Sequence, residues 1–385
     1  NARNVPKLRF KGYNDEWKHY RLKDIVKIYD GTHQTPNYID DGIKFVSVEN
    51  IDNLKGTNKY ISKVDYDKDF KIKPEINDIL MTRIGDIGTP AIIDTKENYA
   101  YYVSLALLKA EQEILFPKFF VQRILSEPFQ HELWKRTLHV AFPKKINKNE
   151  IGECNVFICS KSEQEKIASF LTLIDKKIEK QKELVELLKK YKRGLLSAIF
   201  SQKLRFKDNN GNNYPAWEEK YIQDVCSITT GKGNTQDKEE NGIYPFYVRS
   251  PIVEKSNKYI FDGEAVLTVG DGVGTGKVFH YVNGKFNFHQ RVYKMSNFSG
   301  INGRYFYYYF STHFYDRVKR MTAKTSVDSV RMDMIAKMPI FIPTNEEQDK
   351  IINLLTNVEN IFLKNEESLF LLQEYKKGLL QQLFI

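Results

Sequence analysis

The sequence predicts an α+β chain built twice: two pseudo-twofold-related mixed α/β bodies separated by an antiparallel pair of long coiled-coil helices. Three observations carry this expectation. Residues 163–200, EQEKIASFLTLIDKKIEKQKELVELLKKYKRGLLSAIF, lie over 347–384, EQDKIINLLTNVENIFLKNEESLFLLQEYKKGLLQQLF, at a constant offset of 184 and without a gap. Of the 38 aligned positions, 16 are identical. The match also extends outward: Leu8-Arg9-Phe10 recurs as Leu204-Arg205-Phe206, Trp17 as Trp217, and Gly31 as Gly231. A repeat on this scale has to be read before any local signal.

Composition bounds the reading. The chain has 385 residues, 41% hydrophobic and 13% aromatic, enough for two or three domains with real cores. No apolar run approaches the ~18–20 residues of a membrane span. No secretory signal opens the sequence, and Asn1-Ala2 without a Met reads as a cleavage scar. Cys154, Cys159 and Cys226 are odd in number and fit neither a disulfide framework nor a zinc spacing, which favours a reducing cytoplasm. Net charge is +10. The first helical segment (160–200) holds 10 basic and 6 acidic residues and the second (344–385) holds 4 and 7, so the surplus sits in the bodies. A basic surplus there suggests an anionic partner, nucleic acid before membrane.

Taken in order, each body (about 14–158 and 214–342) has the same outline. Ile43 to Val48 alternates like a half-buried strand, and Tyr244 to Val248 holds the equivalent place. Residues 78–88 and 264–274 read as strands running into glycine turns. Aromatic helical segments follow at 117–134 and 303–320, then polar loops at 137–148 and 322–333, and a short apolar strand before each long helix. The tyrosine-rich run 305–309 reads as core. In the first long helix Ile167, Phe170/Leu171, Ile174, Ile178, Val185, Leu188, Leu195 and Ile199 mark a heptad seam. Gln181 and Asn365 are equivalent amides on that seam; facing one another they would fix register, and otherwise they are two partly solvated polar positions. The second helix starts where the intervening body ends, so proximity of domain ends predicts an antiparallel pair. Gly194 and Gly378 cost about 1 kcal/mol each relative to Ala; they either permit close helix approach or mark a local helix end. Ile361, Leu363 and Phe370 replace Lys177, Glu179 and Glu186 off the seam, as partner contacts or as surface covered by a neighbouring domain.

Catalytic signatures are absent. The loop Gly270 to Val278 fails as a phosphate loop, because Asp271 and Val278 stand where Gly and Ser/Thr are needed. It reads as a turn between strands, or as backbone approaching phosphate. No metal-ligand, nuclease or base-amino methyltransferase spacing is present. What remains is chemistry suited to base edges and phosphates. The first body offers His33, Gln34 and Thr35 after Gly31, Arg83 at its glycine turn, and Lys144, Lys145 and Lys148. The second offers Lys232, Asn234 and Gln236 after Gly231, Lys277, Asn287, His289 and Arg291 alternating on a strand, then Lys324 and Arg331. Any one of these loops could simply be solvated; their weight is collective.

Two divergent bodies and two near-identical helices, opened by Glu163-Gln164-Glu165-Lys166-Ile167 and closed by Tyr191-Lys192-Arg193-Gly194-Leu195-Leu196, together resemble the specificity subunits of type I restriction–modification systems. The resemblance covers essentially the whole chain. It implies two target recognition domains, 1–158 and 204–342, each reading half of a bipartite target in double-stranded DNA. It implies spacer helices at 159–203 and 343–385 that also dock two modification (methyltransferase) subunits, with restriction subunits joining. No cofactor is expected on this chain, since S-adenosylmethionine would sit on the modification subunits. Helices of ~35–40 residues span ~50–60 Å, ample to set two readers a helical turn apart on DNA. The alternatives are a non-catalytic coiled-coil scaffold with protein-binding bodies, and a restriction or methylation enzyme.

Overall fold

The computed structural model of the chain describes residues 4–272, 274–321 and 329–385. They gather into two units, Asn1–Glu183 with Glu367–Ile385, and Leu184–Glu366. The long helices are Lys161–Phe200 and Asn345–Leu383, so each contributes one part to each unit.

The two units are built to one plan. In the first, a four-stranded antiparallel sheet runs in the order Val26–Asp30, Leu105–Ala110, Ile79–Ile84, Asp86–Ile92. In the second, Ser227–Thr230, Val292–Ser296, Phe261–Val269 and Phe279–Phe288 repeat that order. Each unit also closes with a two-stranded antiparallel ladder, Lys18–Arg21 with Asn155–Ile158 and Glu218–Tyr221 with Pro339–Ile342. The extra strands differ. Ile43–Val46 pairs in parallel with Tyr99–Tyr101 in a separate three-stranded sheet, whereas Tyr244–Tyr247 joins the main sheet in parallel along Phe279–Phe288.

Within each unit the long helices pack together, as the seam predicted, and antiparallel, as the proximity of domain ends predicted. In the first, Ile167, Leu171, Ile174 and Ile178 share a core with Leu379, Leu380, Leu383 and Phe384. In the second, Leu195, Ile199 and Phe200 share one with Ile351, Leu355 and Val358. The repeat extends to charge. Lys376 Nζ lies 2.5 Å from Asp175, and its equivalent Lys192 lies 2.6 Å from Glu359, the equivalent of Asp175. Tyr305, Phe306, Tyr308 and Tyr309 are buried, so that aromatic run is core.

Two expectations need correction. Gly194 and Gly378 lie inside their helices, and a Cβ at either would meet nothing within 4 Å, so neither close approach nor a helix end explains them. The segment 117–134 is two helices, Pro117–Leu125 and Glu127–Arg136, broken at an extended Ser126. Pro128 follows that break, and a residue without a backbone N–H suits a first turn better than a helix interior.

Candidate nucleic-acid interface

A repeated set of buried polar contacts fixes each body to the helices. Arg9 donates from Nε and Nη2 to Glu163 at 2.7 and 2.8 Å, and Arg205 does the same to Glu347 at 2.7 and 2.8 Å. Both carboxylates are fully buried, so a bidentate guanidinium is what compensates their lost hydration. The next residue repeats as well. Gln164 accepts from the Phe116 N–H at 2.8 Å and donates to the Ile114 and Cys159 carbonyls. Gln348 accepts from the Asn302 N–H at 2.8 Å and donates to the Pro343 carbonyl. The Glu-Gln pair that opens each helix thus anchors the aromatic helix of its body.

The strands after these anchors end on the repeated glycines. A Cβ on Gly31 would stand 2.4 Å from the Tyr101 carbonyl oxygen, and one on Gly231 would stand 2.1 Å from that of Phe288. Only glycine lets the backbones approach so closely. Past Gly31, His33, Gln34 and Thr35 are exposed, and Thr35 lines a cleft of about 260 Å³ with Tyr38, Lys59 and Ser104. Past Gly231, Lys232, Asn234 and Gln236 are exposed. Asn234 accepts from Gln290 at 2.8 Å, and Lys232 and Gln236 line a cleft of about 320 Å³ with Asn287 and Lys258.

An acidic residue that the sequence reading missed organises the cations of each unit. In the first, Asp30 pairs with Arg83 and lies 3.6 Å from Lys148. Arg83 is buried, and burial pushes its pKa down; its Nη1 pairs with Asp30, and among the described residues its buried Nε has no partner. Lys144, Lys145 and Lys148 are exposed beside it, the Lys144 carbonyl accepting from the Gly85 N–H at 2.8 Å. In the second unit Asp271 lies 3.5 Å from Arg249 and 3.6 Å from Arg291, and both arginines are about half exposed or more. Arg249 was also missed. Its partner is 22 residues away, beyond any local pattern.

Asn287, His289 and Arg291 do not alternate on one strand as expected. The strand ends at Phe288, and Asn287 and His289 are both buried. Asn287 donates to Ser256 at 3.2 Å. His289 Nδ1 accepts the Arg291 N–H at 3.0 Å, and burial, then nearby Arg249, push its pKa down. A neutral His289 therefore positions Arg291. Lys277 is exposed above the Tyr315 ring, with its Nζ 5.0 Å from the centroid, and Arg331 is exposed where the short helix Met332–Ala336 begins. Lys324 lies outside the described residues. Gln181 and Asn365 are partly buried in different units, and Asn365 donates to the Ile361 carbonyl at 2.7 Å. Among the described residues no group of acids, histidines and cysteines is arranged to hold a metal, and no helix is long and apolar enough to cross a membrane.

The chain has recognisable relatives. A family described as the type I restriction modification DNA specificity domain matches residues 14–189 and 215–369. The specificity subunit of the type I restriction enzyme EcoDI of Escherichia coli is 25% identical over 171 residues, covering 43% of this chain and 37% of that protein. The chain thus spans little more than a third of that relative's length. A putative type I restriction enzyme MjaX specificity subunit of Methanocaldococcus jannaschii is 22% identical over 395 residues, covering 92% of this chain and 89% of that one. The type I restriction–modification S subunit from M. genitalium matches with a TM-score of 0.67 at 15% identity, covering 99% of both chains. That likeness is one of fold.

Proposed function

Because the chain belongs to the type I restriction modification DNA specificity family, we propose that it is the sequence-reading subunit of a type I restriction–modification complex. Residues 1–158 and 204–342 act as target recognition domains, each reading half of a bipartite site in double-stranded DNA. Residues 159–203 and 343–385 act as spacer helices, with Gln181 and Asn365 fixing their register, and dock two modification subunits that carry S-adenosylmethionine. Restriction subunits complete the assembly. The chain itself performs no chemistry. A reducing cytoplasm suits its three cysteines, which are buried and unpaired.

One observation carries this reading. The anchors and seam are the same in both units, while the side chains past Gly31 and Gly231 differ. A protein that needs two specificities on one frame has to vary the loops and keep the supports. Apolar Ile361, Leu363 and Phe370, 50–60% exposed on the second helix, supply surface for a protein partner.

Titrating the purified chain with duplex DNA at several salt concentrations gives the first test. Phosphate contacts make log K fall linearly with log[salt]. Lys144→Ala, Arg249→Ala and Arg291→Ala should each weaken binding and reduce that slope by about one. Binding indifferent to salt and to all three substitutions would contradict the reading.

A further inference from the structure

One surface feature is not accounted for by the anchors or by the loops after the repeated glycines. Residues 138–145 form a narrow loop, closed at its base by the Leu138 N–H donating to the Lys145 carbonyl at 2.8 Å. Lys145 also bridges to Ile84, and the Ile146 N–H donates to the Arg83 carbonyl at 3.0 Å, so the loop is seated on the main sheet. An aromatic stack braces one side. Trp134 lies parallel to His131 at 5.9 Å, and the His139 ring sits 5.0 Å from Trp134. At the tip, Val140 is 98% exposed and Phe142 104% exposed.

A single exposed apolar side chain needs no explanation. Two within three residues, on a loop held by backbone hydrogen bonds, forgo the burial that ordinarily stabilises such side chains. What covers them is indicated by the surrounding charge. From Leu133 to Asn149 there are five basic residues and no Asp or Glu. Lys135 and Arg136 are paired with Glu132, and Lys148 faces Asp30. Among the described residues, Lys144 and Lys145 have no acidic partner, and both follow the tip on the returning arm of the loop. An apolar point beside two unneutralised cations matches a ligand that is apolar inside and anionic at its rim. Duplex DNA has that profile, with stacked bases behind two rows of phosphates.

We propose that Phe142, backed by Val140, is a wedge that enters the base stack of bound duplex DNA, with Lys144 and Lys145 on the flanking phosphates. This rests on the DNA-binding reading above and deepens it. Apolar wedges of this kind partly unstack a base step and kink the duplex. The first unit would then read its half-site partly through the ease with which one step deforms, a form of specificity that needs no base-edge hydrogen bond there.

The test uses the full chain and relaxed closed-circular plasmid DNA of mixed sequence, religated by a topoisomerase with the protein bound. Insertion changes twist and therefore shifts the linking-number distribution. The wild-type chain should shift it in proportion to the protein bound. Val140→Ala/Phe142→Ala should retain salt-dependent plasmid binding and lose the shift, and Phe142→Trp should keep it. The substituted side chains belong to no core, and unchanged thermal unfolding confirms that the variants fold. An equal shift from wild type and the double Ala variant would overturn the wedge, as would wild-type binding without any shift. A wild-type chain that fails to bind the plasmid even at low salt would overturn the DNA reading itself, and the wedge with it.

Discussion

Trp17 and Trp217 occupy equivalent places in the two units but end differently. Trp217 Nε1 donates to Glu347 at 3.0 Å, adding a third hydrogen bond to a carboxylate already held by Arg205. Among the described residues Trp17 Nε1 is buried with no partner, and Glu163 is held by Arg9 with the Cys159 thiol beside it. The sheets show a similar divergence, since the strand after the first loop joins the main sheet in the second unit and a separate sheet in the first. The acid beneath the loops diverges too. Asp30 draws Arg83 inside, whereas Asp271 holds two arginines at the surface. What stays constant is the bidentate Arg–Glu anchor at the junction with the helices, while the tryptophan beside it, the extra strands and the surface cations drift. A frame proposed to mate with the same kind of partner twice would be held fixed, with the surfaces it carries free to change.

The largest test of this contrast is removal of the anchors. Breaking a buried ion pair by deleting one partner costs about 3–5 kcal/mol. Glu347→Ala should therefore strip hydrogen-exchange protection from 184–366 and leave 1–183 protected, and Glu163→Ala should do the reverse. The Glu347 change should be the more severe of the two, because it also orphans Trp217.

Acid should separate the units next. Burial pushes the pKa of His280, His289 and His313, all in the second unit, below the ordinary 6.5. The unfolded chain therefore binds protons that the folded unit refuses. The stability they confer is complete above pH 6.5 and is lost as pH falls through that value toward their folded pKa values. In the first unit Glu132 behaves differently. Burial raises its pKa, but hydrogen bonds from the Asn155 backbone, Lys135 and the Asn155 side chain outweigh that and bring it to about 2. Its contribution persists above 4.5 and fades only between there and about 2. Exchange measured between pH 7 and 5 should show the second unit loosening first, and simultaneous loosening would contradict this.

A smaller effect is expected at the tryptophans. Trp217→Phe loses a hydrogen bond to a charged group as well as packing, so it should cost about 1 kcal/mol more than Trp17→Phe, which removes an N–H that had no partner. The smallest should come at the seam. Lys192→Met and Lys376→Met remove equivalent, partly solvated ion pairs and should each cost no more than about 1 kcal/mol. The two costs should be equal within error in chemical denaturation, and a large inequality would mean that the helix pair is not symmetric in energy.

The sequence made the repeat, the order of elements and the helix pairing legible, because heptad spacing and a constant offset survive divergence. The repeated glycines were visible as Gly31 and Gly231, although their reason, a carbonyl oxygen where a Cβ would go, was not. The state of the polar residues was less legible. Asn287 and His289 at a strand end read the same whether they face solvent or turn inward to hold a neighbour. Arg83 looked available because its partner Asp30 is 53 residues away, and Asp271 with Arg249 was hidden by the same kind of distance. A pattern of local spacing cannot register a pairing that only the folded sheet creates.

The central claim is one repeated frame with two independent readers. It is tested most directly by mapping methylated positions genome-wide in cells that carry the chain with residues 232–236 and 289–291 replaced, against cells carrying the native chain. The account predicts that one half of the proposed bipartite site changes or loosens, while the other half and the spacing between them stay as they were. An unchanged site, or one altered in both halves by a variant that still folds and binds DNA, would contradict it.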